Sequence, residues 1–187
     1  MLGVVLFKIV FLTFLSFKVF ATPLHVVIIR HAEKPESGSE LSQKGFSRAN
    51  ALVGLFTNSD LSKKYNIPQF LFASMPQHEI GSIRSIQTLI PLSNYLNIPI
   101  EKGFKRNDYK ELTREVLTNP IYDGKTILIA WPHKEIREII DNLGVTNFTK
   151  KWEDKTFDRL WIVNYKDQQF LSIDDLPQKL IIGDSSI

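Results

Sequence analysis

The chain of 187 residues contains no cysteine, and this absence excludes several classes of function. A protein without thiols has no disulfide framework, no thiolate metal site and no cysteine nucleophile for phosphatase or protease chemistry. A strong excess of either charge is also missing, because 23 basic residues face 20 acidic ones. A basic surface for nucleic acid is therefore not expected. Hydrophobic residues make up 43% and charged residues 23%, a balance typical of a folded domain.

The first 21 residues differ in composition from the rest of the chain. They are almost entirely apolar, and Lys8 and Lys18 are their only charged residues. An apolar run ahead of a small residue such as Ala21 is typical of an export signal that is cleaved there. A run of this length could also remain as a membrane anchor, which is the only case in which membrane contact is expected. Either way, residues 22–187 are expected to form one domain outside the cytoplasm, periplasmic or secreted.

After residue 22, apolar runs alternate with stretches of helical periodicity. Continuous apolar runs are typical of parallel strands that are covered on both faces. The predicted strands are 25–29, 69–73 and 126–131, followed by a hairpin of 160–163 and 169–173, and the predicted helices are 41–56, 82–96, 108–118 and 133–143. This order predicts a single three-layer α/β/α domain with a mostly parallel central sheet.

Positively charged and imidazole side chains follow the predicted parallel strands. Arg30 and His31 follow the first strand, Arg84 lies at the helix entry after the second, and His133 follows the third. Because ligands bind beyond the carboxyl ends of such strands, we expect these four side chains to share a site. Arginine forks match phosphate oxygens, and a neutral imidazole can attack phosphorus. Nearby positive charges are expected to lower the pKa of His31 and keep it neutral.

Three segments resemble the histidine phosphatase superfamily, the phosphoglycerate mutase-like group. These segments are VVIIRHAEKP at 26–35, SIRSIQT at 82–88 and ILIAWPH at 127–133. The resemblance covers essentially the whole chain after Thr22 and implies a phosphoglycerate mutase-like fold. It further implies a phosphorylated nucleophile, His31, and three phosphate-binding partners, Arg30, Arg84 and His133. It implies neither a metal nor a cofactor.

The proton donor is not fixed by any motif. In the mutase-like branch of this family the acid follows the second arginine at a distance that points to Asp108 or Glu111. In the acid-phosphatase branch the acid directly follows the second histidine, where this chain has Lys134. Glu33 and Glu135 are the remaining candidates.

The expected function is an exported, metal-independent phosphomonoesterase that hydrolyses a small phosphorylated substrate through a phosphohistidine on His31. The alternative is a non-catalytic phosphate-ester-binding protein on the same fold. An exported location argues against a glycolytic mutase and against a protein-phosphohistidine phosphatase, because known bacterial examples of the latter are cytoplasmic. Outside the proposed site, Lys44 and Arg48 are interpreted as a solvated helix face and His78 as a solvated loop residue.

Overall fold

The computed structural model describes residues 22–185. The predicted export signal or anchor lies in residues 1–21, outside the described residues. Within the described part of the chain, no helix is both long and apolar enough to cross a bilayer.

A six-stranded sheet forms the centre of the domain, and five α-helices are described around it. The strands are β1 (His25–Arg30), β2 (Phe70–Ala73), β3 (Ile100–Glu101), β4 (Thr126–Trp131), β5 (Arg159–Lys166) and β6 (Gln169–Pro177). The helices are α1 (Gln43–Thr57), α2 (Asp60–Tyr65), α3 (Arg84–Leu96), α4 (Tyr109–Thr118) and α5 (His133–Asn142), with a 3₁₀ turn at Pro120–Tyr122. The two short elements α2 and β3 were not predicted, because they span too few residues to show a hydrophobic period.

The strand order is β3-β2-β4-β1-β5-β6. The first three pairings are parallel, and the pairings of β1 with β5 and of β5 with β6 are antiparallel. Asp167 and Gln168 connect β5 to β6 with positive φ angles of 49° and 66°, the backbone twist that a tight hairpin requires. The predicted mostly parallel sheet with a closing hairpin is therefore confirmed.

The parallel strands are apolar on both faces because helices cover both faces. Val26 and Ile28 of β1 belong to a cluster that includes residues of α4 and α5. Val27 and Ile29, which alternate with them, belong to the cluster that includes residues of α1 and α3. This arrangement confirms the three-layer α/β/α architecture and explains the unbroken apolar runs in the sequence.

Helix α1 packs directly on the segment that follows β1. At Gly45 an added Cβ would lie 2.3 Å from the backbone oxygen of Glu33, far inside van der Waals contact. Ser42 begins the helix by accepting a hydrogen bond from the Gly45 amide at 3.1 Å, and its own amide donates to the Glu33 carbonyl at 2.9 Å. The absence of a side chain at position 45 therefore allows α1 to hold residues 31–33 in place.

Arg48 on α1 corrects the sequence interpretation of a solvated helix face. Its side chain is only 3% exposed, and it donates to both carboxylate oxygens of Glu33 and to both of Asp184. A further bond reaches Gln178 Oε1 at 3.0 Å. The C-terminal segment folds back over α1 and buries this arginine, which the local sequence does not signal. Lys44, one turn away, remains 57% exposed as expected.

Candidate active site

A pocket of about 400 Å³ opens at the carboxyl edge of the parallel strands. Arg30 at the end of β1 lies opposite Trp131 at the end of β4, and Ala73 at the end of β2 lies opposite Ala130. The residues that follow these strands consequently meet at one edge of the sheet. The lining residues include all four predicted clamp and nucleophile positions, Arg30, His31, Arg84 and His133.

His31 is buried, and its ring orientation is fixed by the adjacent backbone. Nδ1 lies 2.7 Å from the carbonyl oxygen of Ala32. A carbonyl oxygen can only accept, so Nδ1 carries the proton and donates it. Nε2 of a neutral His31 ring therefore keeps its lone pair, which is the form required of a nucleophile.

The electrostatic surroundings keep His31 neutral. Burial lowers the pKa of His31 to about 4, and the positive charges of Arg30 and Arg84 add to this effect. The hydrogen bond to Ala32 acts in the opposite direction without reversing the shift. The predicted direction of the pKa shift is thus confirmed, but desolvation is the main cause and the neighbouring cations are secondary.

The loop that precedes β5 fixes the position of the Arg30 side chain. Its Nη1 donates to the backbone oxygens of Asp154 and Thr156, and its guanidinium carbon lies 3.9 Å from the centre of the Phe157 ring. Its Nε is buried without a hydrogen-bond partner among the described residues. Burial lowers the pKa of Arg30 to about 10, and Arg84 adds to this effect while Asp154 opposes it. Arg30 therefore remains a cation at neutral pH.

Arg84, the first residue of α3, is held by the loop that follows β1. Its Nε donates to the backbone oxygen of Glu40 at 2.9 Å, and its Nη2 donates to that of Gly38. Burial lowers the pKa of Arg84. The residue that caps α3, Ile83, has no side chain that can accept a hydrogen bond, and the Arg84 amide donates instead to Ser82 Oγ at 3.4 Å.

His133, the first residue of α5, is paired with a residue that the sequence did not suggest. Its Nε2 lies 2.6 Å from Oδ1 of Asp154. The pKa of Asp154 is lowered by this hydrogen bond, so the carboxylate accepts and Nε2 donates. Burial and the nearby charge of Arg30 lower the pKa of His133, whereas Asp154 opposes them.

None of the four carboxylates considered as proton donors is among the residues that line the pocket. Asp108 precedes α4 and accepts a hydrogen bond from the Lys105 amide at 2.9 Å, and Glu111 is exposed on the same helix. Glu33 is tied to Arg48, and Glu135 accepts from Arg106 at 2.6 Å. The four candidate acids are therefore occupied by other partners or lie outside the lining of the pocket.

The pocket is also lined by residues outside the predicted nucleophile and phosphate-binding positions, and one of them, Arg106, lies in the loop 103–108 that the sequence predicts as a cationic rim. Arg106, Lys34 and Lys134 add positive charge to the lining, and the segment from Met75 to Gly81 forms one rim. Met75 pairs with Lys105 through a parallel bridge, which brings this rim next to the loop that carries Arg106. His78 is exposed, as expected of a loop histidine, but it lines the pocket. Lys34, Arg106 and the segment from Met75 to Gly81 lie outside the helices and longer strands, whereas Lys134 is the second residue of α5.

The described residues contain no group of three or more His, Asp or Glu side chains that could hold a metal ion. The residues that line the pocket offer cations and imidazoles, a donor set suited to an anion.

Comparisons with known proteins assign this chain to no family. No family model matches the chain, and no curated protein matches it. Among solved structures, the chain is similar to a protein of Agrobacterium tumefaciens assigned as a phosphohistidine phosphatase, SixA. The two share 15% sequence identity with a TM-score of 0.48, over 83% of this chain and 99% of that one. At this level the similarity supports no inference about activity.

Proposed function

We propose that this protein is a metal-independent phosphomonoesterase that works through a phosphohistidine on His31. The observation that carries the proposal is a buried, neutral imidazole with its Nε2 lone pair available, in a pocket that it shares with two arginines. A phosphate monoester carries close to two negative charges at neutral pH, and Arg30 and Arg84 supply two positive charges. The site thus pairs a nucleophile with an anion clamp.

The first step is attack by Nε2 of His31 on the phosphorus atom of the ester. The N–P bond forms while the bond from phosphorus to the ester oxygen breaks, and the departing alkoxide takes a proton. We assign that proton to His133, because no carboxylate is among the described residues that line the pocket and a bound dianion raises the proton affinity of a nearby imidazole. In the second step a water oxygen bonds to phosphorus while the Nε2–P bond breaks and returns its electron pair to His31. His133 accepts the proton of that water, and inorganic phosphate leaves. Asp108 and Glu111 have no role in this scheme.

The proposal includes a location outside the cytoplasm. The apolar run of residues 1–21 supports export. Expression of the full chain followed by cell fractionation tests this part, and recovery only in the cytoplasm would contradict it.

A phosphoenzyme assay tests the chemistry directly. The full chain is incubated with p-nitrophenyl phosphate from pH 4 to pH 8, and the protein is then examined for a phosphoryl group that is stable in alkali and lost in acid. His31→Asn is expected to abolish both turnover and labelling. The control is His25→Asn at the first residue of β1, where the ring contacts Asn164 and Tyr65 away from the pocket. Its turnover is expected to persist.

The second candidate is a phosphate-ester-binding protein without catalysis. It is favoured by one observation, that no Asp or Glu from residues 22–185 lines the pocket. In that case inorganic phosphate or vanadate would bind in a manner dependent on Arg30 and Arg84, while no ester would be hydrolysed and no phosphohistidine would form. Calorimetric titration of phosphate beside the assay above separates the two candidates.

A further inference from the structure

The pocket carries more positive charge than a phosphoryl group needs. Within the part of the chain that the structure describes, the lining contains no aspartate or glutamate and five arginine and lysine side chains: Arg30, Lys34, Arg84, Arg106 and Lys134. In the proposed function Arg30 and Arg84 balance the phosphoryl dianion. Three cations of the lining therefore remain to be accounted for.

One of the three is already neutralised. Arg106 Nη2 lies 2.6 Å from Glu135 Oε1, so this pair contributes little net charge to the mouth of the pocket, the outer part of the lining where Lys34 and Lys134 lie. Lys34 and Lys134 have no hydrogen bond or ion pair with other described residues. The nearest compensating group is the exposed carboxylate of Asp154, which is close enough to Lys134 to be stabilised by its charge. With Asp154 subtracted, the mouth still holds about one excess positive charge.

The two lysines approach the pocket from different elements. Lys34 lies three residues beyond His31 in the segment after β1, and Lys134 is the second residue of α5, next to His133. Both are exposed, so their ammonium groups can reach a ligand that extends outward from the phosphoryl site. The cavity of about 400 Å³ falls in the size range of pockets that hold a whole small molecule.

We propose that the substrate is a small phosphomonoester with a second anionic group, a carboxylate or a second phosphate, which Lys34 and Lys134 bind at the mouth. This inference rests on the proposed function, because it assigns Arg30 and Arg84 to the transferring phosphoryl group. A substrate with a neutral or cationic tail would leave the excess positive charge of the mouth unmatched.

A matched series of esters tests the proposal with the full chain. Propyl phosphate, 3-phosphonooxypropanoate and 3-aminopropyl phosphate have three-carbon bodies that end in a methyl, a carboxylate and an ammonium group. We expect kcat/KM for the carboxylate ester to exceed that for propyl phosphate by roughly tenfold, and the ammonium ester to be the poorest. The bisphosphate of 1,3-propanediol shows whether a second phosphate is preferred over a carboxylate. The preference should shrink as salt is raised.

Variants that remove the charge of a lysine test whether Lys34 and Lys134 cause the preference for the carboxylate ester. Lys34→Gln, Lys134→Gln and the double variant should lower kcat/KM for the carboxylate ester more than for propyl phosphate, so that the double variant loses most of the preference. Lys110→Gln is the matched control, since Lys110 is exposed on α4 and is not a lining residue. It should retain the full preference.

The outcomes separate this inference from the proposed function. Turnover of the three esters at equal rates, or a preference that survives the double variant, would overturn the second-anion site while the phosphatase assignment stands. If no ester is hydrolysed, the proposed function fails, and calorimetric titration of the same esters decides the inference. Tighter binding of the carboxylate ester that depends on Lys34 and Lys134 then supports it, and equal or absent binding overturns it.

Discussion

His133 donates from Nε2 to the Asp154 carboxylate across 2.6 Å, although the two residues belong to different segments. The same Asp154 presents its backbone oxygen to the Arg30 guanidinium. One residue of the loop before β5 therefore orients two members of the proposed clamp. Because its side chain is negatively charged, it also favours the protonated form of His133.

The first prediction concerns that charge. Asp154→Asn keeps an oxygen that can accept from Nε2 but removes the carboxylate charge, whereas Arg30 on β1, Lys134 on α5 and the nearby His31 remain around the ring. The pKa of His133 should fall, because the Asp154 carboxylate is the charge that raises it, and an NMR titration of the imidazole signals measures the change. Glu153→Gln, at an exposed neighbouring position, is the control. An unchanged pKa of His133 in Asp154→Asn would contradict the electrostatic role.

The second prediction concerns two glycines of α1. Gly45→Ala forces a methyl group against the Glu33 carbonyl, with an initial separation of 2.3 Å. We expect the free energy of unfolding to drop by about 2 kcal/mol or more, as in other overpacked interiors. Gly54→Ala meets nothing within 4 Å in the same helix and should raise stability by about 0.5–1 kcal/mol through helix propensity. Urea denaturation compares the pair, and equal stability of the two variants would show that α1 does not pack as described.

The third prediction concerns the buried arginine of α1. Arg48→Met leaves the carboxylates of Glu33 and Asp184 without their shared cation, and stranded buried charges cost about 3–5 kcal/mol. Arg114→Met, at an exposed position of α4, should change stability little. Thermal and urea unfolding of both variants measure the difference. The prediction fails if Arg48→Met unfolds at the same denaturant concentration as the parent.

The fourth prediction concerns acid stability. Since the pKa of His31 is about 4 in the folded chain and 6.5 for the free side chain, protonation favours the unfolded chain. The stability contribution is complete above pH 6.5 and is lost as the pH falls towards 4. The loss should reach about 2–3 kcal/mol at pH 4.5 relative to pH 7.

His31→Asn should remove this part of the pH dependence, so that its unfolding free energy falls less than that of the parent between the two pH values. The exposed loop variant His78→Asn should follow the parent. Parallel curves for His31→Asn and the parent would show that burial of this ring does not govern acid sensitivity.

The sequence by itself determined the order of the long elements and the edge at which the polar residues meet. Apolar runs and helical periods are local properties, so β1, β2, β4 and the four longer helices were predictable from them. Parallel strands place their carboxyl ends on one edge, and this rule was enough to bring Arg30, His31, Arg84 and His133 to one pocket.

Only the tertiary structure decided which partners surround these residues. Asp154 reaches His133 across 21 positions and Arg30 across 124, and Arg48 meets Asp184 across 136. Such contacts depend on where loops and the C-terminal segment return to the sheet, and no local pattern encodes that path. Asp108 and Glu111 are not among the lining residues. Arg48 is buried although its position on α1 predicts exposure, because long-range packing outweighs the preference of a charged side chain for water.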